Sequence, residues 1–414
     1  MVKSLYTRFL ADRVSAALDD TPVVAVVGAR QAGKSTLVRE QVALPSRAVY
    51  VTFDDPVPLA AARADPDGFI DSYDVPLVLD EAQRVPEIFR AIKRAVDRHR
   101  RPGRYLLTGS ADVLHLPRVS ESLAGRMEVL TLWPLSQGEL AGRRETFVDR
   151  VFSEGLPVAE VHESLAHLVG RVVRGGFPDA VTRDAERRSA WFESYAATVL
   201  QREVSEIATI ERGHELPRLV RVMAGRSGTA LNLAEISRAT GIQHSTLTRY
   251  VMLLELAYLV SRIPAWTGST SRRLLRHPKI VMSDSGLAAH LVGADTAGIA
   301  SDSRERGALI EAFVAMELVK QSGWAKSRVA IHHYRSAPGT EVDIVIERAD
   351  RRLVGIEVKT AATIDSRDAN GLRSLADATG SRFHRGLVLY LGRETVPLGR
   401  AIHALPIPAL WSGA

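Results

Sequence analysis

The chain contains no cysteine among its 414 residues. That absence excludes disulfides, cysteine-ligated zinc and thiol catalysis, and it suits a reducing compartment. Long apolar runs are missing as well. The most hydrophobic stretch, Val251 to Val260, is short and contains Glu255, so it falls well below the length of a membrane span. The segment Ser4 to Leu18 carries Arg8, Asp12 and Arg13 within its apolar pattern, which predicts an amphipathic helix rather than a signal peptide. A cytoplasmic protein without membrane contact is expected. With 46% hydrophobic and 25% charged residues, disorder is not expected and the length suits roughly two to four globular domains.

What is present starts with Gly28-Ala29-Arg30-Gln31-Ala32-Gly33-Lys34-Ser35, which follows the apolar run Pro22 to Val27 and fits the phosphate-binding pattern G-x-x-x-x-G-K-[ST] throughout. The glycines let the backbone curl so that N–H groups point at phosphate oxygens, and a helix beginning near Gly33, through Ser35 and Thr36, adds its positive end. Lys34 is expected to reach the β- and γ-phosphates and Ser35 to ligate Mg2+. The run Val75 to Glu81 reads as a buried strand ending in two carboxylates. Asp80 is expected to hold the magnesium through its water shell, and Glu81 to polarise the attacking water. Switch GTPases use a glutamine there and read guanine with Asn-Lys-x-Asp, a motif absent from this chain, so the expected nucleotide is ATP.

From Val23 to about Ser136 buried strands alternate with amphipathic helices: Val23–Val27, Ala48–Phe53, Leu77–Asp80, Tyr105–Thr108 and Val129–Leu132. The fold class is α/β. Thr108 and Ser110 lie where such sheets bind ligands, as γ-phosphate sensors or as caps of a helix near Ala111. Arg126, in Ser122-Leu123-Ala124-Gly125-Arg126, is a candidate for stabilising charge on the transferring phosphate, in its own subunit or a neighbour's. Residues 147–210 read as helical, broken once at Arg174-Gly175-Gly176-Phe177-Pro178. Leu231 to Ile242 and His244 to Val251 then form a helix, a turn at Gly241 and a second helix. The strands Tyr258–Ile263 and Lys279–Met282, joined by a stretch with Arg272 and Arg273, suit a wing. Gln243, His244, Ser245, Thr248 and Arg249 are the residues that such a motif presents to DNA. A net charge of +6 and a pI near 9.6 accord with a polyanionic partner or with solvated arginine-rich helices.

Together the phosphate loop, the Thr-Gly-Ser strand end, the Leu-Ala-Gly-Arg segment and the Gly-Gly-Phe-Pro turn resemble a large prokaryotic family of AAA-type ATPases with a C-terminal domain of uncharacterised function. The resemblance implies a P-loop NTPase sheet with a helical lid, and, as in related signal-transduction ATPases, a Gly-x-Pro against the adenine. Gly176-Phe177-Pro178 matches that pattern and points to Pro178.

Toward the carboxyl end, the strand Glu341 to Ile346 and the strand Leu353 to Thr360 form a hairpin carrying Asp343, Glu357 and Lys359. Glu357 and Lys359 are two apart and share a strand face. The set resembles the restriction-endonuclease-like superfamily, which implies that Asp343 and Glu357 bind magnesium, that Lys359 assists the attacking water, and that Glu311 on the preceding helix is a fourth member. The expected domains are an ATPase core at 1–145, a helical lid at 146–212, a winged helix-turn-helix at 213–290 and a restriction-endonuclease-like domain at 300–414. The expected function is ATP hydrolysis that switches or loads a nuclease-like module on nucleic acid. Its rival is a nucleotide-controlled regulatory or protein-binding switch with an inactive C-terminal scaffold. Nucleic acid, further copies of the chain and protein partners all remain open as partners.

Overall fold

The computed structural model describes residues 5–44, 47–109, 123–155, 163–203, 213–268, 277–301, 303–336 and 339–412. Ser110, Ser122, Arg272 and Arg273 lie outside them. The chain divides into two compact units. One is built from Met1–Pro134, Thr198–Glu211 and Met252–Leu259, the other from Leu135–Ala197, Arg212–Val251 and Val260–Ala414.

In the first unit, α1 (Leu10–Asp20), β1 (Val23–Val27), α2 (Lys34–Glu40), β2 (Val49–Thr52), α3 (Pro56–Ala64), α4 (Pro66–Asp71), β3 (Leu77–Asp80), α5 (Ile88–Arg98), β4 (Tyr105–Gly109) and β5 (Met127–Thr131) follow one another. The strands form one sheet in the order β2-β3-β4-β1-β5, and every pairing is parallel. β1, β3 and β4 are buried at every residue. That is why their sequences read as continuous apolar runs rather than alternating ones. Leu10, Val14 and Leu18 of α1 and Leu37 and Val38 of α2 pack with Val24, Val26 and Leu106 of the sheet. Burying each such side chain contributes about 1.5–3 kcal/mol.

Residues 5–8, expected within the first helix, are not helical, and α1 begins at Leu10. The cause is Arg8, which is 5% exposed and whose guanidinium donates to the carbonyls of Ala32 and Trp133, both at 2.6 Å. Gln41 accepts the Arg8 N–H at 2.7 Å and donates to the Tyr6 carbonyl at 2.9 Å. The backbone there serves long-range partners instead of a helix.

The second unit contains α6 (Gln137–Ala141), α7 (Phe147–Arg150), α8 (Leu165–Arg174), α9 (Pro178–Val181) and, as far as Ala197, α10 (Ala185–Thr198), which runs on into a π-helical turn of the first unit. The helical region is broken at the expected turn, where Gly175 ends α8 and Pro178 starts α9, and again between Val181 and Ala185. Next come α11 (Leu216–Ala224), β6 (Thr229–Ala230), α12 (Leu233–Thr240), α13 (His244–Leu256), β7 (Val260–Ile263), β8 (Lys279–Met282), α14 (Ser285–Leu291) and α15 (Thr296–Ser301). Asn232 caps α12 by accepting the Glu235 N–H, and Gly241 at φ 73° ends it. The strands form an antiparallel sheet in the order β6-β8-β7.

The remainder is α16 (Ser303–Ser322), β9 (Val329–Arg335), β10 (Glu341–Arg348), β11 (Leu353–Val358), α17 (Asn370–Thr379), β12 (Phe383–Tyr390), β13 (Val396–Gly399) and β14 (Ile402–Pro406). Its sheet runs β13-β14-β12-β11-β10-β9. β9, β10 and β11 are antiparallel neighbours, and α17 carries the chain from β11 to its parallel partner β12.

A buried polar cluster near the start of this unit has a consequence for stability. Glu145 accepts the Gly138 N–H at 2.6 Å through Oε1, while its buried Oε2 finds no hydrogen-bond partner among the described residues. Glu317, fully buried, accepts from Gln137 N–H at 2.8 Å and from Lys320 Nζ at 2.7 Å. Burial, and next the negative charge of Glu317, pushes the Glu145 carboxyl up to about 8. A carboxyl raised in the folded state holds its proton after the unfolded chain has released it. Its contribution is thus full below about pH 4.5 and is lost as pH rises toward 8. Glu145→Gln should therefore flatten the fall in melting temperature between about pH 5 and 9, by an amount worth a few kcal/mol at most. Melting curves of the wild type and the variant that decline in parallel would refute this.

Candidate functional site

The loop between β1 and α2 is shaped by its glycines. Gly28 has φ 147° and Gly33 has φ 97°, in the region that side chains avoid. A Cβ on Gly28 would also lie 2.1 Å from the Leu132 carbonyl oxygen. Ala29 and Ala32 are fully buried beneath the loop, Arg30 is half-buried, and Gln31, exposed, takes a left-handed φ of 60°. Lys34 is 5% exposed, and its ammonium donates to the carbonyls of Gly28 and Ala29, both at 2.9 Å. The side chain thus folds back over the loop. Ser35 and Thr36 continue the first turn of α2. Helices leave first-turn N–H groups unsatisfied by their own carbonyls.

The chemistry converges on Asp80 at the carboxyl end of β3. Its carboxylate is 5% exposed and accepts hydrogen bonds from three hydroxyls on three other elements: Ser35 at 3.0 Å, Thr108 and Tyr50. Thr108 also accepts the Glu81 N–H at 3.3 Å. Glu81 sits at φ 56° and its carboxylate accepts from the Gln83 amide. Burial first, and then the Asp80 carboxylate, raises the Tyr50 phenol well above its ordinary range. A hydroxyl that donates to Asp80 keeps lone pairs. Ser35 and Asp80 therefore form the oxygen-only donor pair that Mg2+ prefers.

Arg126 is not brought to this loop in its own chain. It precedes β5, its carbonyl accepts the N–H of Val23 at 3.2 Å, and Val23 is the first residue of β1. The phosphate loop lies beyond the other end of β1, five residues away, or roughly 16 Å. There Arg126 pairs with Asp97 at 2.6 Å. Strand polarity already implied this, because Arg126 precedes its strand and the starts of parallel strands lie opposite their ligand-binding ends.

Gly176 and Pro178 belong to the second unit. Leu135 N–H donates to the Gly176 carbonyl at 2.7 Å, and a Cβ on Gly176 would meet the Leu135 oxygen at 2.3 Å. Phe177 is buried among Trp191, Phe192 and Tyr195. Asp284, which caps α14, accepts the Gly176 N–H at 2.7 Å.

In the C-terminal sheet, Ile344 faces Ile356, and that register continued by one residue puts Asp343 across from Glu357. Asp343 accepts the Val358 N–H at 2.9 Å. Lys359 Nζ stands 3.7 Å from Glu357 and 3.9 Å from Asp368. The fold thus gathers Glu311, Asp343, Glu357 and Lys359, but with a fifth member that the sequence did not suggest. Lys279, the first residue of β8, places its ammonium 2.5 Å from Glu311 and 3.7 Å from Asp343. Burial works against this charge, yet Glu311 and Asp343 hold it above the ordinary lysine range. Burial and the neighbouring Asp343 push both Glu311 and Glu357 upward. The donor set between Glu311 and Asp343 is filled by an ammonium and does not fit a divalent metal ion. Magnesium was expected on Asp343 and Glu357, and Lys279 adds an ammonium beside the first of these.

A parallel five-stranded sheet with a phosphate-binding loop after β1 defines a P-loop NTPase-like domain. Residues 20–141 match the AAA domain family, a nucleotide-binding type. Residues 165–298 match Domain of unknown function (DUF8612), and residues 306–410 match Domain of unknown function (DUF4143). Uncharacterised proteins of Mycobacterium tuberculosis and Mycobacterium bovis are each 30% identical over 402 residues, spanning 96% of this chain and 83% of the relative. An uncharacterised protein of Haemophilus influenzae is 22% identical over 258 residues, 60% of this chain and 57% of its own. The chain belongs to the family of the mycobacterial proteins. Among the described residues no helix is long and apolar enough to cross a membrane.

The overlap at Gly28 yields a direct test. Gly28→Ala should lower the melting temperature by several degrees, the equivalent of about 1–3 kcal/mol, and abolish nucleotide binding. A variant that melts and binds like wild type would show that the loop tolerates a side chain there.

Proposed function

We propose that this protein hydrolyses ATP and uses its nucleotide state to control its C-terminal module. The observation that carries the ATPase reading is the Ser35–Asp80–Thr108 arrangement directly behind the phosphate loop. In this reading Lys34 exchanges its two loop carbonyls for phosphate oxygens, and Ser35 and Asp80 hold the magnesium ion. That ion, when bound, neutralises phosphate charge. Glu81, whose N–H is anchored to Thr108, orients and polarises the attacking water. Arg126 is left for a neighbouring copy of the chain, since its own loop is out of reach.

Control of the C-terminal module is supported by the short path from Gly176 through Asp284 to β8. The resemblance assigns this Gly-x-Pro turn to the nucleotide, and β8 carries Lys279 to the carboxylate cluster. Helices α11 to α13 and the β6-β8-β7 sheet read as a winged helix. Gln243, His244, Ser245, Thr248 and Arg249 are exposed, while Leu247 and Tyr250 are buried. Nucleic acid is the proposed partner of that face, with a restriction-endonuclease-like domain beyond it. Lys279 favours a second reading for this last domain, a scaffold that transmits state without cutting.

Lys34→Ala should abolish hydrolysis and weaken ATP binding at least tenfold, whereas Glu81→Gln should keep binding and lose about 100-fold or more in turnover. Calorimetric titration with ATP beside phosphate release measures both, and unchanged hydrolysis in either variant removes that residue's role. Labelled DNA and RNA with Mg2+ or Mn2+, with and without ATP, decide between the two readings of the module. Cleavage lost on Asp343→Ala supports the nuclease, and no cleavage under any condition supports the scaffold.

A further inference from the structure

We propose that Lys279 is the resident cation of the carboxylate cluster, taking the place of a divalent metal ion and excluding one for as long as its ammonium stays there. The inference rests on reading that cluster as the site of the C-terminal module. Lys279 is paired through its backbone on both sides, with Ala230 of β6 and Ile263 of β7. The sheet thus fixes where its side chain starts, and the two carboxylates hold the ammonium at its end. Its side chain is 7% exposed, and the ammonium lies between Glu311 and Asp343, on α16 and β10. Magnesium binds oxygen at about 2.0–2.1 Å, so no ion can sit between these two carboxylates while the ammonium touches one of them.

Formal charge leads to the same conclusion. Lys279 cancels one of the two carboxylate charges, of Glu311 and Asp343, between which an ion would have to sit, while Lys359 is shared between Glu357 and Asp368. Removing one ammonium without replacement leaves buried carboxylates facing one another, an arrangement that an added cation relieves. Entry of a metal therefore requires the ammonium to leave.

The test is Mn2+ titration, followed by electron paramagnetic resonance and calorimetry, on the full chain carrying Asp80→Asn so that the phosphate loop does not contribute. That parent should bind no Mn2+ at the cluster. Lys279→Met in the same background should gain a single Mn2+ site and melt several degrees higher with Mn2+ than without. Adding Asp343→Asn should remove both effects. A parent that binds Mn2+ and loses it on Asp343→Asn overturns the proposal, as does a folded Lys279→Met variant that gains no site. If Lys279→Met does not fold, the parent with and without Asp343→Asn decides alone. Failure of metal-loaded Lys279→Met to cut DNA or RNA would sink the nuclease reading and leave Lys279 as the excluding cation.

Discussion

A buried carboxylate must find donors, and at Asp80 that requirement organises the whole carboxyl edge of the first sheet. Three hydroxyls, from α2, β2 and β4, donate to one side chain on β3. Hydrogen bonds to a charged group are worth about 1.5–3 kcal/mol each, and leaving such a group unsatisfied costs more. Sliding any of these elements along its neighbour by one residue would break the set. The position of Ser35 beneath the phosphate loop, and of Glu81 through Thr108, thus follows from the solvation of Asp80.

At the other carboxylate cluster the same need is met by different means, with a different chemical result. Asp80 is surrounded by neutral hydroxyls, which keep lone pairs for a metal ion and add no positive charge. Glu311 and Asp343 are met by the Lys279 ammonium, which has no lone pair and repels a metal. Two sites with similar carboxylates can therefore have opposite affinities for a divalent cation, and the residue that decides lies outside either motif.

Legibility in the sequence followed the range of the interaction. The phosphate loop, the strand ending in Asp80 and Glu81, and the hairpin of Asp343 and Glu357 are local patterns, and they stand on the elements that the apolar runs and turn residues predict. Arg8, Tyr50 and Lys279 were not readable because each acts on a partner with no fixed spacing from it. Lys279 reaches Glu311 and Asp343 from a strand in another sheet, and in sequence it reads as the basic start of a wing strand. Arg126 shows the complementary failure: its motif is readable, but its end of the sheet is a matter of strand direction.

The path between the Gly-Gly-Phe-Pro turn and the C-terminal cluster is short and leaves little slack. A Cβ on Gly175 would lie 2.3 Å from the Asp284 carboxylate, and one on Gly286 would lie 2.8 Å from the Gly175 nitrogen. The turn and the start of α14 are therefore packed backbone against backbone, with the Asp284–Gly176 hydrogen bond across them. Only Ser283 separates Asp284 from β8, which is paired with β7 along its whole length and with β6 at Ile280 and Lys279. Close-packed elements shift as bodies and do not deform continuously. The turn, Asp284 and β8 therefore form one close-packed stretch of the second unit that ends at the backbone of Lys279.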